Sequence, residues 1–181
     1  MKATEQGVGP GAPRRYQAVP RTLIFLLHDG EEQGTEEILL LKGAADKRLW
    51  AGRYNGLGGH VEPDEDILAA AERELAEEAG IQAAALTLRG VLHITLAPQD
   101  PNAAGILVFV FLGRTQERRV VPSREGELVW VPVDRLAELP LVDDLHHLLP
   151  RLLQGPGFVH GLYRPGPDGR LVYSFRVEEA P

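Results

Sequence analysis

The sequence predicts an α/β/α sandwich, in which a mixed β-sheet carries helices on both of its faces. Short apolar runs that predict strands recur along the chain, and two amphipathic segments that predict helices lie among them. Residues 105–113 are almost wholly apolar, which is typical of a central strand that is buried on both faces. With 181 residues, of which 44% are hydrophobic, the chain is long enough for one domain with a sizeable core.

The N-terminal segment differs in composition from the rest of the chain. Residues 1–20 are rich in Gly, Pro and Arg and show little periodicity, so we expect a flexible tail, followed by a single domain over residues 21–181. Because the tail has no long apolar core, it predicts neither a signal peptide nor a membrane anchor.

Apolar runs bounded by turn residues predict the strands. These runs are residues 22–28, 37–41, 85–96, 105–113, 127–133, 158–163 and 171–176. The first two are expected to pair through a hairpin loop, and the last two around a Pro-Asp-Gly turn. Residues 42–59 hold five glycines and predict a loop.

The first helix is predicted to begin near Asp64, a candidate N-cap, and to end at Gly80. Its inward face is expected to carry Leu68, Ala71, Leu75 and Ala79. An acidic first turn would suit the helix dipole.

The second helix is predicted over residues 143–153, with Asp143 as its candidate N-cap. Its leucines should face inward, and Pro150 predicts a kink or a break. Before it, Asp134 is expected to cap a short helical turn that ends at Leu139.

Composition argues against several classes of protein. The formal net charge of −7 argues against a binder of duplex nucleic acid, but it allows a nucleotide substrate because a bound cation can offset local acidity. The chain has no cysteine, which excludes disulfides and favours a cytoplasmic location. No apolar run approaches the roughly 20 residues that a membrane-spanning helix needs. Monomer and homodimer both stay open.

Three glutamates are spaced so that they share one face of the first helix. Glu74, Glu77 and Glu78 stand at positions i, i+3 and i+4, within an arc of about 100°. Their charges repel one another, and a bound divalent cation is the simplest relief because such ions prefer hard oxygen ligands. For an isolated segment of this kind, the alternative is a solvated, charged helix face.

The residues around these glutamates favour the metal-binding interpretation. Gly59 precedes Glu65 by six positions, Glu65 precedes Arg73 by eight, and Gly80-Ile81 closes the segment. The pattern Gly-x5-Glu-x7-Arg-Glu-Leu-x-Glu-Glu-x-Gly-Ile resembles the complete signature of the Nudix hydrolases. Nine fixed positions match by chance with a probability of roughly less than one in a million. The resemblance implies the Nudix fold and hydrolysis of a nucleotide phosphoanhydride.

The resemblance also implies a metal site. Mg²⁺, or Mn²⁺ in its place, would be held by Glu74, Glu77 and Glu78 and by the backbone carbonyl of Gly59. Either Glu77 or Glu78 would stand nearest the attacking water, and the general base stays open because it varies between members. The family often adds a carboxylate from outside the signature. Glu125 aligns best with that role, and an exposed loop glutamate is an equal alternative.

Other signature residues are expected to support the site. Arg73 resembles the arginine that orients the glutamates and belongs with them to the catalytic set, with a plain surface pair to Glu77 as its alternative. Glu65 is expected to support the junction of loop and helix rather than to bind metal. Gly80 is the structural residue that closes the motif.

Segments outside the signature narrow the resemblance. Residues 51–62 (AGRYNGLGGHVE), 130–132 (WVP) and 139–144 (LPLVDD) follow, in order, the animal-type oxidised-purine nucleoside triphosphatases. This likeness implies a substrate such as 8-oxo-dGTP, cleaved to a monophosphate and pyrophosphate.

By the same resemblance, Asn55, Asp143 and Asp144 would contact the purine edge. An Asn amide offers donors and an acceptor, and a carboxyl pair that shares a proton can both donate and accept. The alternatives are that Asn55 is a turn residue and that Asp143 is a helix cap. Two positions depart from the subfamily, because Leu141 and Ile94 stand where it has aromatic rings.

Trp50 or Tyr54 could supply a ring for stacking in place of the missing ones. ADP-ribose, or another nucleoside diphosphate derivative, is the alternative substrate class, and Pro98 lies close to but off the register typical of those enzymes. A nucleotide-sensing module without turnover is a further alternative. The complete set of signature carboxylates argues against it.

Overall fold

A mixed eight-stranded sheet forms the centre of the chain in a computed structural model that describes residues 15–30, 34–45, 50–82, 85–100, 103–123 and 125–179. Its strands are β1 (Ala18–Asp29), β2 (Glu36–Gly43), β3 (Tyr54–Asn55), β4 (Ala85–Ile94), β5 (Gly105–Arg114), β6 (Gly126–Pro132), β7 (Phe158–Pro165) and β8 (Leu171–Glu178). The helices are α1 (Ile67–Ala79), a 3-10 helix (Val133–Glu138) and α2 (Leu145–Leu153). The strand order is β3-β2-β1-β5-β4-β7-β8, and β6 pairs with β2 outside that path.

Strand β2 has three neighbours, and their placement positions the glycine-rich segment. Along one side it pairs with β6 over Glu37–Gly43. On the other side β1 pairs with its first half, and β3 takes over at Leu41 and Lys42. The chain after β3 then bridges back to β1 at Leu57 and Ile24. The predicted loop over residues 42–59 therefore contains a short strand, and its glycine-rich end is tied to the sheet.

One helix covers each face of the sheet, which confirms the predicted α/β/α sandwich. Side chains of β1 alternate between the faces, as a strand period of two requires. Ile24 and Leu26 pack with α1, whereas Phe25 and Leu27 pack with α2. Strand β5 lies between β1 and β4, so its predicted central position is confirmed.

Strand β5 is less buried than its apolar sequence predicts. Residues 106–109 are only half-buried. Ile106 and Val108, two residues apart on one face, line a cavity described below. The apolar run of β5 thus forms part of a cavity wall as well as part of the core.

Helix α1 begins two residues later than predicted. Its N-cap is Asp66, whose Oδ1 accepts hydrogen bonds from the backbone N–H groups of Leu68 and Ala69, both at 2.9 Å. The predicted cap at Asp64 is wrong, and the acidic residues precede the helix, so its first turn carries no acidic side chain. Leu68 is 40% exposed, contrary to expectation. Gly80 ends the helix in the left-handed conformation, as predicted (φ 70°).

The predictions for α2 and the turn before it need similar correction. Helix α2 starts at Leu145 with Asp144 rather than Asp143 at its N-cap position, and no side chain caps it. Pro132, not Asp134, precedes the 3-10 helix. The four α2 leucines are buried as predicted, and the helix continues through Pro150.

The ends of the domain also differ in detail from the prediction. Strand β1 begins at Ala18 and pairs with β5 from its first residue, so the strand extends into the segment expected to be tail. Residues 1–14 lie outside the described part of the chain. The C-terminal hairpin of β7 and β8 is antiparallel, as predicted. Within the described residues, no helix is both long enough and apolar enough to cross a bilayer.

Candidate active site

The glycine-rich segment that precedes α1 lies against β1. The backbone of Leu57 exchanges two hydrogen bonds with Ile24, at 2.8 and 3.1 Å, and the N–H of Thr22 donates to the carbonyl of Gly59 at 2.9 Å. Gly58 has a φ of 132°, and a Cβ at this position would collide with the backbone of Thr22. Glycine is therefore required at Gly58 by both conformation and space.

Glu78 connects α1 to this segment. Its Oε2 accepts a hydrogen bond from the backbone N–H of Gly58 at 3.0 Å. The pKa of the Glu78 carboxyl is raised to about 7, first by burial and then by the negative charges of Glu74, Glu125 and Glu77, whereas the hydrogen bond from Gly58 lowers it. The signature carboxylates thus crowd one another, as the helix spacing predicted.

Arg73 connects the other signature carboxylates to one another. Its guanidinium donates to both oxygens of Glu65, at 2.7 and 3.0 Å. It also donates to Glu74 at 3.0 Å, to Glu77 at 3.4 Å and to the backbone carbonyl of His60 at 3.0 Å. Arg73 is therefore the centre of a network that fixes the loop against α1, and its contact with Glu77 is the longest of the set.

Glu65 is the main partner of Arg73. Its Oε1 also accepts a hydrogen bond from the backbone N–H of Glu62 at 2.8 Å, which fixes the turn before α1. The hydrogen bonds from Arg73 and then from Glu62 lower the pKa of Glu65, and the bond to Glu65 raises the pKa of Arg73 above its usual range. Both groups therefore stay charged at neutral pH.

The oxygen donors around α1 fit a hard divalent cation. A Cβ at Gly59 would meet the carboxylate of Glu74, so the Gly59 backbone and this carboxylate lie close together. Burial first, and then the negative charges of Glu74, Glu125 and Glu77, raise the pKa of Glu78, and a bound cation would offset these charges. The carbonyl of Gly59 bonds to Thr22 and retains a second lone pair for a cation.

The carboxylates do not yet converge on one point. In the described chain, no three His, Cys, Asp or Glu side chains form a group that could hold a metal ion as they stand. Arg73 pairs with Glu74 at 3.0 Å and with Glu77 at 3.4 Å, and the Glu77 side chain is 62% exposed. Binding a cation at this helix face therefore requires Glu74 and Glu77 to turn from Arg73 towards Glu78.

A cavity of about 380 Å³ extends from this face of α1 to residues that were predicted to contact the purine edge. Glu78, Glu125 and the Gly58–Gly59 backbone contribute to its wall, and so do Asn55 and Asp144. The remaining wall is mainly apolar, with Leu23, Leu92, Ile94, Ile106, Val108 and Val142 among the lining residues. The structure thus brings Gly59, Glu78, Glu125, Asn55 and Asp144 of the predicted site to one cavity, whereas Glu74, Glu77 and Asp143 are not among its lining residues.

Of these three residues, Asp143 is the one that was predicted to contact the purine edge. Arg53 donates to its carboxylate at 2.5 Å, the Asp143 side chain is 79% exposed, and it is not among the cavity-lining residues. Asp144 lines the cavity and accepts a hydrogen bond from the hydroxyl of Tyr163 at 2.6 Å. Each of the two acidic residues therefore has its own partner. Asn55 lines the cavity, with its side-chain oxygen accepting from the backbone N–H of Gly56 at 2.9 Å.

Comparison with known proteins identifies the family. The model of the NUDIX domain matches residues 18–152. The chain belongs to the Nudix family. It is 31% identical over 138 residues to the mouse oxidized purine nucleoside triphosphate hydrolase, covering 76% of this chain and 86% of that protein. It is 28% identical over 147 residues to the uncharacterized Nudix hydrolase YvcI of Bacillus subtilis, covering 81% and 89%.

Solved structures share the Nudix fold. A MutT protein from Bacillus halodurans has a TM-score of 0.71 at 24% identity, covering 90% of this chain and 99% of that one. The NUDIX domain of NrtR from Shewanella oneidensis, complexed with ADP ribose, has a TM-score of 0.62 at 15% identity, covering 83% and 96%. The protein is a Nudix hydrolase, and enzymes of this family act on nucleotides and generally use divalent metal ions.

The Nudix hydrolase cavity is lined by an arginine that sequence patterns did not single out, and by one of the two rings that they did. Arg21 lines the cavity, and its buried Nε has no hydrogen-bond partner among the residues described. An arginine at the start of an apolar strand was the signal that could have drawn attention to it. Trp50, 47% exposed, also lines the cavity and is the ring available where Leu141 and Ile94 replace aromatics. Tyr54 instead packs with the core on the α2 side.

Proposed function

We propose that this Nudix hydrolase converts a purine nucleoside triphosphate and water to the monophosphate and pyrophosphate, with an oxidised purine such as 8-oxo-dGTP as its preferred substrate. The observation that carries the proposal is the single cavity that joins Glu78 and Glu125 to Asn55 and Asp144. A nucleotide has the same two parts, an anionic phosphate chain and a base with polar edges. The likeness to the mouse oxidized purine nucleoside triphosphate hydrolase supports this substrate class.

At the helix end of the cavity, we assign the cation to Glu74, Glu77, Glu78, Glu125 and the carbonyl of Gly59. Mg²⁺, or Mn²⁺, when bound there would offset the charge of the phosphate oxygens and lower the pKa of a bound water. Glu77 and Glu78 lie on the face where that water would be held, and either can accept its proton.

Arg73 acts through the carboxylates rather than on the substrate. By holding Glu65 with two hydrogen bonds and the backbone carbonyl of His60 with a third, it fixes the glycine-rich segment against α1, and these bonds do not involve the proposed metal ligands. A planar guanidinium can serve several carboxylate oxygens at once, which a lysine ammonium does less well. We therefore expect Arg73 to affect turnover more than nucleotide binding.

Among the lining residues away from the metal site, Asn55 and Asp144 would contact the purine edge. The amide group of Asn55 still offers two donors, because only its oxygen is used by Gly56. The apolar lining and Trp50 would contact the base faces. Asp143 is assigned to the support of this region through Arg53 rather than to direct contact.

The proposal is tested by offering the purified protein and Mg²⁺ a panel of 8-oxo-dGTP, dGTP and ADP-ribose, with both products identified. We expect 8-oxo-dGMP and pyrophosphate to form fastest. The Glu78→Gln variant is the control for chemistry at α1, and it should lower kcat at least about tenfold because a charge is lost from the metal site. AMP and ribose phosphate as the main products would instead assign the enzyme to the ADP-ribose class.

A further inference from the structure

Buried Tyr163 and half-buried Asp144 form a hydrogen-bonded pair at the wall of the cavity. Tyr163 lies on β7 and is 3% exposed, and its hydroxyl donates to Oδ2 of Asp144 at 2.6 Å. Asp144 comes just before α2 and lines the cavity. The bond therefore joins a fixed strand to a carboxylate that faces the ligand space.

The ring of Tyr163 is held by its neighbours. It packs against Tyr173 and Phe175, with ring centroids 5.6 and 5.9 Å away. Burial, and then the negative charge of Asp144, raise the pKa of the Tyr163 hydroxyl well above its usual range. The phenol consequently stays protonated at neutral pH and acts as a donor to Asp144.

The neighbouring carboxylate is not available to share a proton with Asp144. Asp143 pairs with Arg53, an always-charged partner, and its side chain is directed to the exterior. An adjacent pair of carboxyls that share one proton can switch between donating and accepting. By contrast, a single carboxylate that already accepts a hydrogen bond from a phenol offers its remaining acceptor positions to a ligand.

We propose that Tyr163 is a positioning residue that holds Asp144 as a hydrogen-bond acceptor facing the cavity, so that the site selects purines with a guanine-type edge. Guanine presents N–H donors at N1 and N2, which an acceptor carboxylate can bind together. Adenine presents an acceptor at N1 beside its N6 donor, and two acceptors facing each other repel. The inference rests on the proposed function and narrows its substrate class.

The test compares two phenols of the same aromatic cluster. Tyr163→Phe removes the donor to Asp144 and keeps the ring. Tyr173→Phe is the matched control, because the Tyr173 hydroxyl donates to the backbone carbonyl of Asp143 at 3.3 Å instead. The substrates are 8-oxo-dGTP and 8-oxo-dATP, which share the oxidised C8 and differ at the edge in question.

We expect the wild type to prefer 8-oxo-dGTP. Tyr163→Phe should reduce that preference, measured as the ratio of kcat/KM values, about tenfold, mainly through a higher KM for 8-oxo-dGTP. Tyr173→Phe should leave the ratio within about twofold of the wild type. An unchanged ratio in Tyr163→Phe, or an equal loss on both substrates, would overturn the inference because a purely structural role affects both bases alike.

A second variant covers the case in which Tyr163→Phe does not fold. Asp144→Asn keeps the shape and lets Tyr163 donate to the amide oxygen, so the amide N–H₂ faces the cavity. The guanine preference should then be lost or inverted, and a preference that persists contradicts the inference. Thermal unfolding of each variant identifies those that fold.

Binding separates this inference from the proposed reaction. If no triphosphate is turned over, titration calorimetry with 8-oxo-dGMP and 8-oxo-dAMP still measures base selection. Guanine selectivity that depends on Tyr163 would then uphold the inference while the triphosphatase proposal fails. Turnover with a base ratio independent of Tyr163 would uphold the reaction and reject the inference. If neither monophosphate binds, both are rejected.

Discussion

Removing the charge of Glu78 should stabilise the metal-free protein at neutral pH, although it should impair catalysis. The folded-state pKa of Glu78 is about 7 and the ordinary value is 4.5, so the folded state holds a proton that the unfolded chain releases. Below pH 4.5 Glu78 is protonated in both the folded and the unfolded state, so its raised pKa does not lower the free energy of unfolding. As the pH rises from 4.5 to 7 stability is lost, and above 7 the loss is constant.

The size of the loss follows from the shift. The difference between a pKa of about 7 and the ordinary 4.5 corresponds to about 3 kcal/mol at most. Because the Glu78 side chain is only partly buried, solvent screening reduces this to about 1–2 kcal/mol. Glu78→Gln keeps an oxygen that can accept from Gly58 and carries no charge. In this variant the free energy of unfolding at pH 8 should therefore rise by about 1–2 kcal/mol.

Urea unfolding in the presence of a chelator, at pH 5 and pH 8, measures this difference. The increase in the free energy of unfolding that Glu78→Gln produces should be present at pH 8 and small at pH 5. Glu77→Gln is the matched control, since Glu77 lies on the same helix face but is largely exposed, and it should change the free energy of unfolding by less than about 0.5 kcal/mol. A Glu78→Gln variant that is no more stable than the wild type at pH 8 would refute the reasoning.

Three further predictions concern the same cavity. Gly58→Ala should destabilise the protein by about 1–2 kcal/mol more than Gly52→Ala in urea unfolding, because both positions have positive φ but only Gly58 also meets the backbone of Thr22. Arg73→Lys should lower kcat about tenfold with a smaller change in KM, since lysine cannot serve Glu65 and the α1 glutamates together; steady-state kinetics decide this. Asn55→Ala should lower kcat/KM for 8-oxo-dGTP about fivefold more than for dGTP, and an equal loss would show a turn residue only.

The carboxylate face and the glycine segment were predictable because their logic is local. Glu74, Glu77 and Glu78 share a helix face by spacing alone, and the glycines before them mark a close backbone approach. The helix start was missed by two residues because residues 64 and 66 are both aspartate, and either can cap. In the structure Asp66 is the cap, and Glu65, which lies between the two aspartates, accepts hydrogen bonds from Glu62 and Arg73.

The base-reading side of the cavity was less predictable because its partners are distant in sequence. Asp143 is turned outward by Arg53, which lies 90 residues earlier. Asp144 is held by Tyr163, which lies on β7. The turn residues predicted this strand, but they could not predict which residues would lie beside it. The cavity wall formed by β5 and Arg21 likewise depends on the parallel pairing of β1 with β5. These contacts exist only once the sheet is assembled.

Titration with Mn²⁺, followed by the electron paramagnetic resonance signal of the free ion, tests most directly whether the α1 carboxylates seat a divalent cation. The wild type and the control Glu127→Gln, whose side chain is exposed and outside the cavity lining, should bind with similar affinity. The double variant Glu74→Gln, Glu78→Gln should bind at least about tenfold more weakly, because two anionic ligands are lost. Equal affinity in all three proteins would contradict the account.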